Sequence, residues 1–299
     1  MSNNGAFLLG REAGVWPQAS IAAENMLFAA EKRDGITHEA VEFAHCTFAN
    51  VSFKEAQFKQ CKFLNCAFLN CYFRKTLIQG STFLGCKFIT CDFPKLTVHS
   101  CDFKYSKFSE CHVAFDEIEH SLPREPNLRE ELCHELSVAS HSSGDVRDAR
   151  RYRLKAIEAR TEHLTAAVLG RSNWYESHYA GLRKMSAVLD LIGHWLNGLI
   201  WGHGEKWWVL LRNIFLLAIV VFPSILWFFR EGLTEGAKGD SVLEVIWLSV
   251  TTIIPVNGMA SPIEATSLAA RLTLVVEGFV GIVAAGLFVA FFVKAIVKR

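Results

Sequence analysis

The side chains best placed to do chemistry lie in one short polar stretch, residues 251–258. This stretch carries two threonine hydroxyls, the amide of Asn257, and a backbone constrained by Pro255 and freed by Gly258. Hydroxyl, amide and carbonyl oxygens are the groups with which ion pores hold their ions. Elsewhere Ser, His and acidic residues form no nucleophile motif, no glycine-rich phosphate loop and no cluster at metal-ligand spacing. We therefore predict a protein that is not an enzyme and needs no cofactor.

Composition and charge indicate a membrane protein. The chain has 299 residues, of which 51% are hydrophobic, and a net charge of +1. So small a charge argues against a nucleic-acid partner, because such binding depends on neutralising phosphates. Residues 209–229 and 272–293 are apolar, with one charged residue each, Arg212 and Glu277. Each run is long enough, as a helix, to cross the hydrocarbon core of a bilayer.

Basic residues indicate how these two spans are oriented. They flank the pair on its outer sides, with Lys294, Lys298 and Arg299 after the second span. In the connection between the spans, acidic residues offset the basic ones. The excess of positive charge predicts that both termini are cytoplasmic, at the inner (plasma) membrane. The cysteines then lie in a reducing compartment.

The connection between the spans contains an apolar segment of its own. Residues 241–254 are too short to cross a bilayer and are followed directly by the polar stretch. Ser241 with Glu244 three residues later has the spacing of a capping box. We predict a re-entrant pore helix over residues 241–253, which returns to the surface through the polar stretch.

These residues resemble the two-transmembrane potassium-type channels. That family's run reads Ser-Val-Thr-Leu-Thr-Thr-Val-Gly-Tyr-Gly-Asp, and residues 249–259 here read Ser-Val-Thr-Thr-Ile-Ile-Pro-Val-Asn-Gly-Met, with Pro262 following as in the family. The inner helix of the family often opens Arg-Leu-x4-Glu-x3-Gly. Here the matching residues are Arg271, Leu272, Glu277 and Gly281. The resemblance implies a homotetramer with one central pore. The selectivity filter that it implies comprises Thr251, Thr252, Ile253, Ile254, Pro255, Val256, Asn257 and Gly258.

The filter departs from the family pattern. Val256 and Asn257 stand where the family has its first glycine and its tyrosine, and Pro255 fixes φ and removes a donor. The usual stack of carbonyl rings needs those glycines. We therefore expect a ring of four Asn257 amides backed by the carbonyls of Ile254 or Pro255. This favours a weakly selective pore for monovalent cations, while potassium selectivity and anion conduction stay open as alternatives.

The inner span carries the residues that the resemblance assigns to gating. Gly281 is expected to act as the hinge, and Gly278 or Gly286 could share that role. Phe288 and Phe292 are candidates for a hydrophobic gate, and packing against the outer helix is an equal alternative for them.

An acidic residue inside a span needs a partner or water, because an unpaired charge there is costly. For Glu277 we expect a hydrogen bond to the back of the pore helix, near Trp247, Thr251 or Thr252, that supports the filter. The alternative is an ion site in the vestibule.

A strict five-residue period fills residues 41–120. The large apolar residues on this period are Phe43, Phe48, Phe53, Phe58, Phe63, Phe68, Phe73, Ile78, Phe83, Phe88, Phe93, Val98, Phe103, Phe108, Val113 and Ile118. Such a short period is that of neither a helix nor a flat strand, and it indicates a solenoid. The stretch resembles the pentapeptide-repeat family, which implies a right-handed quadrilateral β-helix of four coils. Eight of the nine cysteines lie two residues before a period position, so we assign them to the core, with a metal or redox site as the alternative.

The remaining regions suggest scaffolding. The predicted solenoid carries lysines and acidic residues in balance, which favours a docking surface for a cytoplasmic protein over mimicry of nucleic acid. Residues 1–40 are predicted to form an N-terminal segment, and residues 121–206 a helical connector after the solenoid. Within the connector, residues 173–200 form an amphipathic pattern that suits the membrane surface or a neighbouring subunit.

The sequence as a whole predicts an α+β multidomain membrane protein, with a β-helix, a helical connector and a pore domain at residues 207–299. We expect a homotetrameric cation channel, surrounded by lipid and gated through its cytoplasmic part. The alternatives are a non-conducting scaffold anchored in the membrane and a pore opened by tension or stress.

Overall fold

Short strands recur along the first half of the chain. The computed structural model describes residues 12–17, 22–233, 241–254 and 265–297. Within these ranges the strands are β1 (Glu12–Ala13), β2 (Ala22–Glu24), β3 (Met26–Ala29), β4 (Thr37–Glu39), β5 (Glu42–Ala44), β6 (Thr47–Ala49), β7 (Gln57–Lys59), β8 (Lys62–Leu64), β9 (Ala67–Leu69), β10 (Leu77–Gln79), β11 (Thr82–Leu84), β12 (Lys87–Ile89), β13 (Thr97–His99) and β14 (Lys107–Ser109).

The paired strands named above are parallel, and all pairs except β1 with β3 are offset by twenty residues along the chain. Phe43 pairs with Phe63, and Phe63 with Phe83, so each coil takes twenty residues. Three faces of the coil are sheets, and the fourth is a row of isolated bridges such as Ser52 to Tyr72. The rings of Phe43, Phe63, Phe83 and Phe103 stack with centroids 5.1, 4.7 and 5.1 Å apart. This register confirms a four-sided solenoid with phenylalanine ladders in its core.

The solenoid differs from the prediction at both ends. It begins before residue 41, because Ala23, Phe28 and His38 occupy earlier positions of the same period and are buried. A histidine and an arginine interrupt the apolar pattern there, which hides it in the sequence. At the other end, residues after His112 leave the coil and form helix α1 (Phe115–Ile118), although Ile118 remains buried.

Aromatic and helical caps close the two open ends of the solenoid core. Trp16 packs against the first coil, with its ring 4.8 Å from Phe28 and 5.4 Å from Phe43. Helices α2 (Pro126–Ser142) and α3 (Val146–Leu169) cover the other end. Cys133 and Tyr152 from these helices are fully buried in the same core as the phenylalanines. The first part of the expected connector is therefore the cap that shields the last coil from water.

A side chain caps the start of α3. Asp145 is the N-cap residue, and its carboxylate accepts the backbone N–H of Asp148 at 2.9 Å. The amphipathic segment predicted over residues 173–200 is wrong as one continuous helix. It is divided into α4 (Asn173–His178) and α5 (Leu182–Trp201), and Gly181 between them has φ +59°. Glycine adopts this left-handed conformation readily, so the helix stops and restarts there.

The chain divides into two compact units, Met1–Leu191 and Ile192–Arg299. The second unit contains α6 (Trp207–Leu216), a π-helical turn (Leu217–Val221), α7 (Phe222–Phe228), α8 (Val242–Ile253) and α9 (Leu268–Val297). Two stretches, Trp207–Phe228 and Leu268–Ala290, are long and apolar enough to cross a membrane by length and composition.

The π-helical turn widens the first of these stretches just before Pro223. Proline lacks the N–H that a regular helix would use, and π turns commonly accommodate such interruptions. The hydroxyl of Ser224 donates to the carbonyl of Val220 at 2.6 Å and takes up a carbonyl in this turn. Side chains of this kind keep backbone groups satisfied in apolar surroundings.

Candidate functional site

Helix α8 lies against both long helices of the second unit. On one side Val245 and Leu248 pack with Leu226 and Ala270 in a single buried cluster. At its C-terminal end Ile253 packs with neighbours that include Phe222. An apolar helix of twelve residues thus has partners on two sides along its length. This arrangement fixes the point at which the polar stretch begins.

A hydrogen bond between buried polar groups joins α8 to α9. The hydroxyl of Ser249 donates to Oε1 of Glu277, and both residues are completely shielded from solvent. The other carboxylate oxygen of Glu277 has no partner among the described residues. A buried carboxylate with half of its acceptor capacity unused is costly. One acceptor of this buried site is therefore left without a donor among the described residues.

The partner expected for Glu277 differs from the one found. Trp247 is 46% exposed, and no hydrogen bond joins it to Glu277 among the described residues. The hydroxyls of Thr251 and Thr252 both donate to the carbonyl of Leu248, at 2.9 and 2.8 Å, within their own helix. Ser249 takes the role because it shares the buried face of α8. Serine in an apolar segment is a weak sequence signal, so its position alone did not single it out.

The predicted filter begins inside the helix. Thr251, Thr252 and Ile253 form the last turn of α8 rather than an extended segment. Ile254 is the first residue with extended backbone, at φ −110° and ψ 90°, and it is 53% exposed. The capping box at the other end is wrong in part: Ser241 is the N-cap residue, but its side chain makes no capping hydrogen bond. The rest of the predicted filter, Pro255, Val256, Asn257 and Gly258, lies outside the described residues.

The three glycines of α9 have different surroundings, although the helix is continuous through all of them. A Cβ placed on Gly281 would collide with the backbone of Ile253, whose Cα and carbonyl carbon would lie 3.0 Å away. A Cβ on Gly278 would make ordinary contact with Thr252, at 3.9 Å, and one on Gly286 would meet nothing within 4 Å. Gly281 therefore allows α9 to touch the end of α8, a role that the hinge prediction did not include.

The predicted gate residues face outward from this single chain. Phe288 is 40% exposed and Phe292 is 61% exposed. Neither side chain is enclosed by the outer helix, and whether they gate a pore stays a prediction.

The cysteines of the solenoid are free thiols that point into its core. The thiol of Cys61 contacts the carbonyl of His38 at 3.3 Å, and that of Cys91 the carbonyl of Phe68 at 3.3 Å. Burial raises the pKa of both thiols and raises that of Cys133 to about 12. Because the thiolate is the metal-binding and nucleophilic form, these cysteines behave as small core residues.

One group of side chains in the first unit has a spacing that could hold a metal ion. His112, Asp145 and Asp148 each place a ligand atom within 4.8 Å of the others. These groups already have partners: His112 contacts Asp145 at 3.0 Å, and Asp148 accepts the backbone N–H of Phe115 at 2.9 Å. Hydrogen bonding to the Asp148 N–H lowers the pKa of Asp145. The group joins the last coil to the start of α3.

Comparison with known proteins adds little to this picture. No family model and no curated protein matches the chain. Solved structures with local similarity include QnrB1, a plasmid-mediated fluoroquinolone resistance protein (17% identity, 30% of this chain and 46% of that one, TM-score 0.25). HetL, a pentapeptide repeat protein from the cyanobacterium Nostoc, shares 7% identity over 37% of this chain and 47% of its own (TM-score 0.24). A pentapeptide repeat protein of the Arabidopsis thaliana thylakoid lumen shares 14% over 36% and 77% (TM-score 0.26).

The matches span about half the length of the first two structures. At these scores they carry no argument about function. The assignment of the solenoid rests on its own twenty-residue strand register.

Proposed function

We propose that four copies of this chain form a cation-conducting pore in the inner (plasma) membrane, with both termini cytoplasmic. The observation that carries the proposal is helix α8, which is too short to cross a bilayer and packs between two helices that are long enough. It ends directly before the polar residues 255–258. In a pore-loop protein such a helix delivers a filter to the middle of the membrane.

The surface of the second unit supports a membrane location for it. Only 28% and 17% of the two long apolar helices is buried in the single chain. Val275, Phe279 and Ile282 are each at least 67% exposed on α9. An apolar surface of this extent is not left in water, so lipid and neighbouring copies are the covering that we propose.

The direction of α8 supports a cation as the permeating ion. Its C-terminal end, at Ile253, carries the partial negative charge of the helix dipole. The dipole favours a cation beyond that end, where Asn257 amide oxygens and the carbonyls of Ile254 or Pro255 would act as ligands. Monovalent cations with weak selectivity follow, since the glycines of a potassium filter are missing.

Two contacts support a fixed position for the filter. They are the hydrogen bond between Ser249 and Glu277 and the close approach of Gly281 to Ile253. Both hold the second half of α8 against α9. Movement of α9 would then reach the filter directly. We propose that the solenoid and its helical cap pass a cytoplasmic signal to α9 in this way.

A scaffold anchored in the membrane is the second candidate, because the solenoid offers a regular docking surface. Charged pairs one coil apart line it, such as Lys62 with Glu42 at 3.6 Å and Lys75 with Glu55 at 3.4 Å. Such mixed surface charge suits a protein partner and not nucleic acid. This candidate requires no current through the membrane domain.

Single-channel recording in planar bilayers, with potassium on one side and sodium on the other, tests the pore. Unitary currents that change in reversal potential or conductance in Asn257→Ala are expected. The matched control is Asn173→Ala, an exposed change in the first unit. Silence of an intact tetramer at all voltages, membrane tensions and pH values would favour the scaffold. Currents seen only under tension would identify a tension-triggered pore.

A further inference from the structure

Helix α5 presents a regular apolar seam to the outside of its own chain. Its members follow one another at alternating steps of three and four residues. They are Leu182, Met185, Leu189, Ile192, Leu196 and Leu199. Their exposed fractions range from 42% at Leu196 to 80% at Leu182. The mean step of 3.5 residues is that of a coiled coil, in which a and d positions meet a partner helix.

The opposite face of α5 is occupied near its N-terminal end. Ala187, at an f position, is 2% exposed and packs with Ala166, Ala167 and Tyr175 of the preceding helices. The f position lies opposite the a and d positions of the heptad. The seam therefore points away from these helices and needs a partner from elsewhere.

We propose that the partner is the same helix of other copies, joined in a parallel coiled coil. Charge along α5 favours this partner over a lipid surface. Both basic residues, Arg183 and Lys184, lie in the first turn, and from Ser186 to Trp201 the only acidic or basic residue among Asp, Glu, Lys and Arg is Asp190. Helices that lie on membranes carry Lys and Arg along their polar face, and an acidic residue there is repelled by anionic lipid.

The central layer of the seam favours more than two strands, although the other two d positions are Met185 and Leu199. Leucine occupies all three a positions, 182, 189 and 196, and isoleucine the central d position, 192. Leucine at a with isoleucine at d shifts coiled coils from two strands towards higher numbers. The flanking g positions, Val188 and Trp195, are also apolar, which widens the face that can be buried. The number four rests on the proposed tetrameric pore, whereas the seam itself does not.

Site-directed cross-linking of the full chain in membranes tests the coil. Leu189→Cys places a thiol at an a position, and Lys184→Cys places the matched control at an exposed c position of the same helix. The nine native cysteines are all buried, so the unmodified chain measures the background with a short bis-maleimide reagent. In a parallel coil each a residue meets its own counterpart, so Leu189→Cys is expected to give covalent dimers about tenfold faster than Lys184→Cys.

A second substitution checks that the cross-link depends on the seam. Ile192→Asp in the Leu189→Cys background places a charge in the next layer and should reduce the yield about tenfold. Arg183→Asp, at a b position, should leave the yield unchanged. Equal rates at positions 189 and 184, or no cross-link at 189, would overturn the coiled coil. So would protection of Leu189→Cys by anionic vesicles from a water-soluble maleimide, because the seam would then lie on lipid.

Recording from the same preparations separates this inference from the proposed function. Cross-linked protein that passes no current would contradict the pore and leave the coil intact. Unitary current from protein that does not cross-link at position 189 would contradict the coil and leave the pore intact.

Discussion

Substitution of Gly281 by alanine tests how closely α9 packs on the end of α8. The new Cβ would lie 3.0 Å from two backbone carbons of Ile253. The carbonyl oxygen of Ile253 would lie closer still. Heavy atoms in ordinary contact are about 3.5–4.0 Å apart, so the two helices would have to separate by about 1 Å or more. Overpacking of this kind costs about 1–3 kcal/mol. Alanine in place of glycine favours a helix by about 1 kcal/mol, so the net loss is about 0–2 kcal/mol.

Two other glycines of the same helix are the controls. A Cβ on Gly278 makes only ordinary contact, and one on Gly286 meets open space. Both substitutions keep the gain in helix propensity without the collision, and each should stabilise the protein by about 1 kcal/mol. Gly281→Ala should thus be about 2 kcal/mol less stable than either control, which corresponds to roughly 8–16 °C in the unfolding temperature of a domain of about 100 residues.

The assay is thermal unfolding of the purified protein in detergent, followed by tryptophan fluorescence, with bilayer currents recorded in parallel. Close packing predicts that Gly281→Ala unfolds earlier and that its currents are altered. A hinge at Gly281 predicts instead that stability rises as in the controls and only opening is affected. An unfolding temperature for Gly281→Ala at or above that of Gly278→Ala would refute the packing argument.

Four further predictions concern buried or partly buried residues. Burial lowers the pKa of His38 to about 4, so the unfolded chain binds a proton that the folded chain excludes. The free energy of unfolding should therefore fall as pH drops from about 6.5 to 4. His38→Phe should remove this part of the pH dependence, measured by urea unfolding at each pH. Burial raises the pKa of Glu117 to about 7, so the folded chain keeps a proton that the unfolded chain releases. The free energy of unfolding should therefore fall as pH rises from about 4.5 to 7, and Glu117→Gln should abolish that fall. Phe63→Ala removes a ring stacked on both sides and should cost about 3–5 kcal/mol by urea unfolding, and an unchanged midpoint would contradict the ladder. Ser249→Ala leaves the buried carboxylate of Glu277 without its donor and should cost about 1–3 kcal/mol in the same thermal assay as the glycine series; no loss would mean that another donor serves it.

The five-residue period was sufficient to predict the solenoid core. Each period position must be buried in every coil, so the pattern repeats sixteen times and survives single exceptions. The ends of the solenoid were harder to predict. Arg33 and His38 interrupt the apolar pattern at its start, and Val113 and Ile118 keep the five-residue period after the last coil has ended. Trp16 gave no periodic signal as a cap, since capping depends on one contact and not on repetition.

The candidate functional site was likewise predictable only in part. The lengths of the apolar runs and of the short segment between them were visible in the sequence, and α8 begins and ends within one residue of the prediction. The partner of Glu277 was not visible, because Ser249 is twenty-eight residues away and is only one of several polar residues on α8. Periodicity cannot tell which of them faces α9.

The sequence by itself therefore determined the repeating and apolar features of this protein: the coil of the solenoid, the short helix and the two long helices around it. These depend on hydrophobic burial, which acts on each residue by its type and spacing. Only the tertiary structure decided that α2 and α3 cap the solenoid, that Ser249 serves Glu277, and that Gly281 is a point of close contact. Each of these is a contact between atoms distant along the chain, and its energy depends on distances of a few ångströms that no local pattern records.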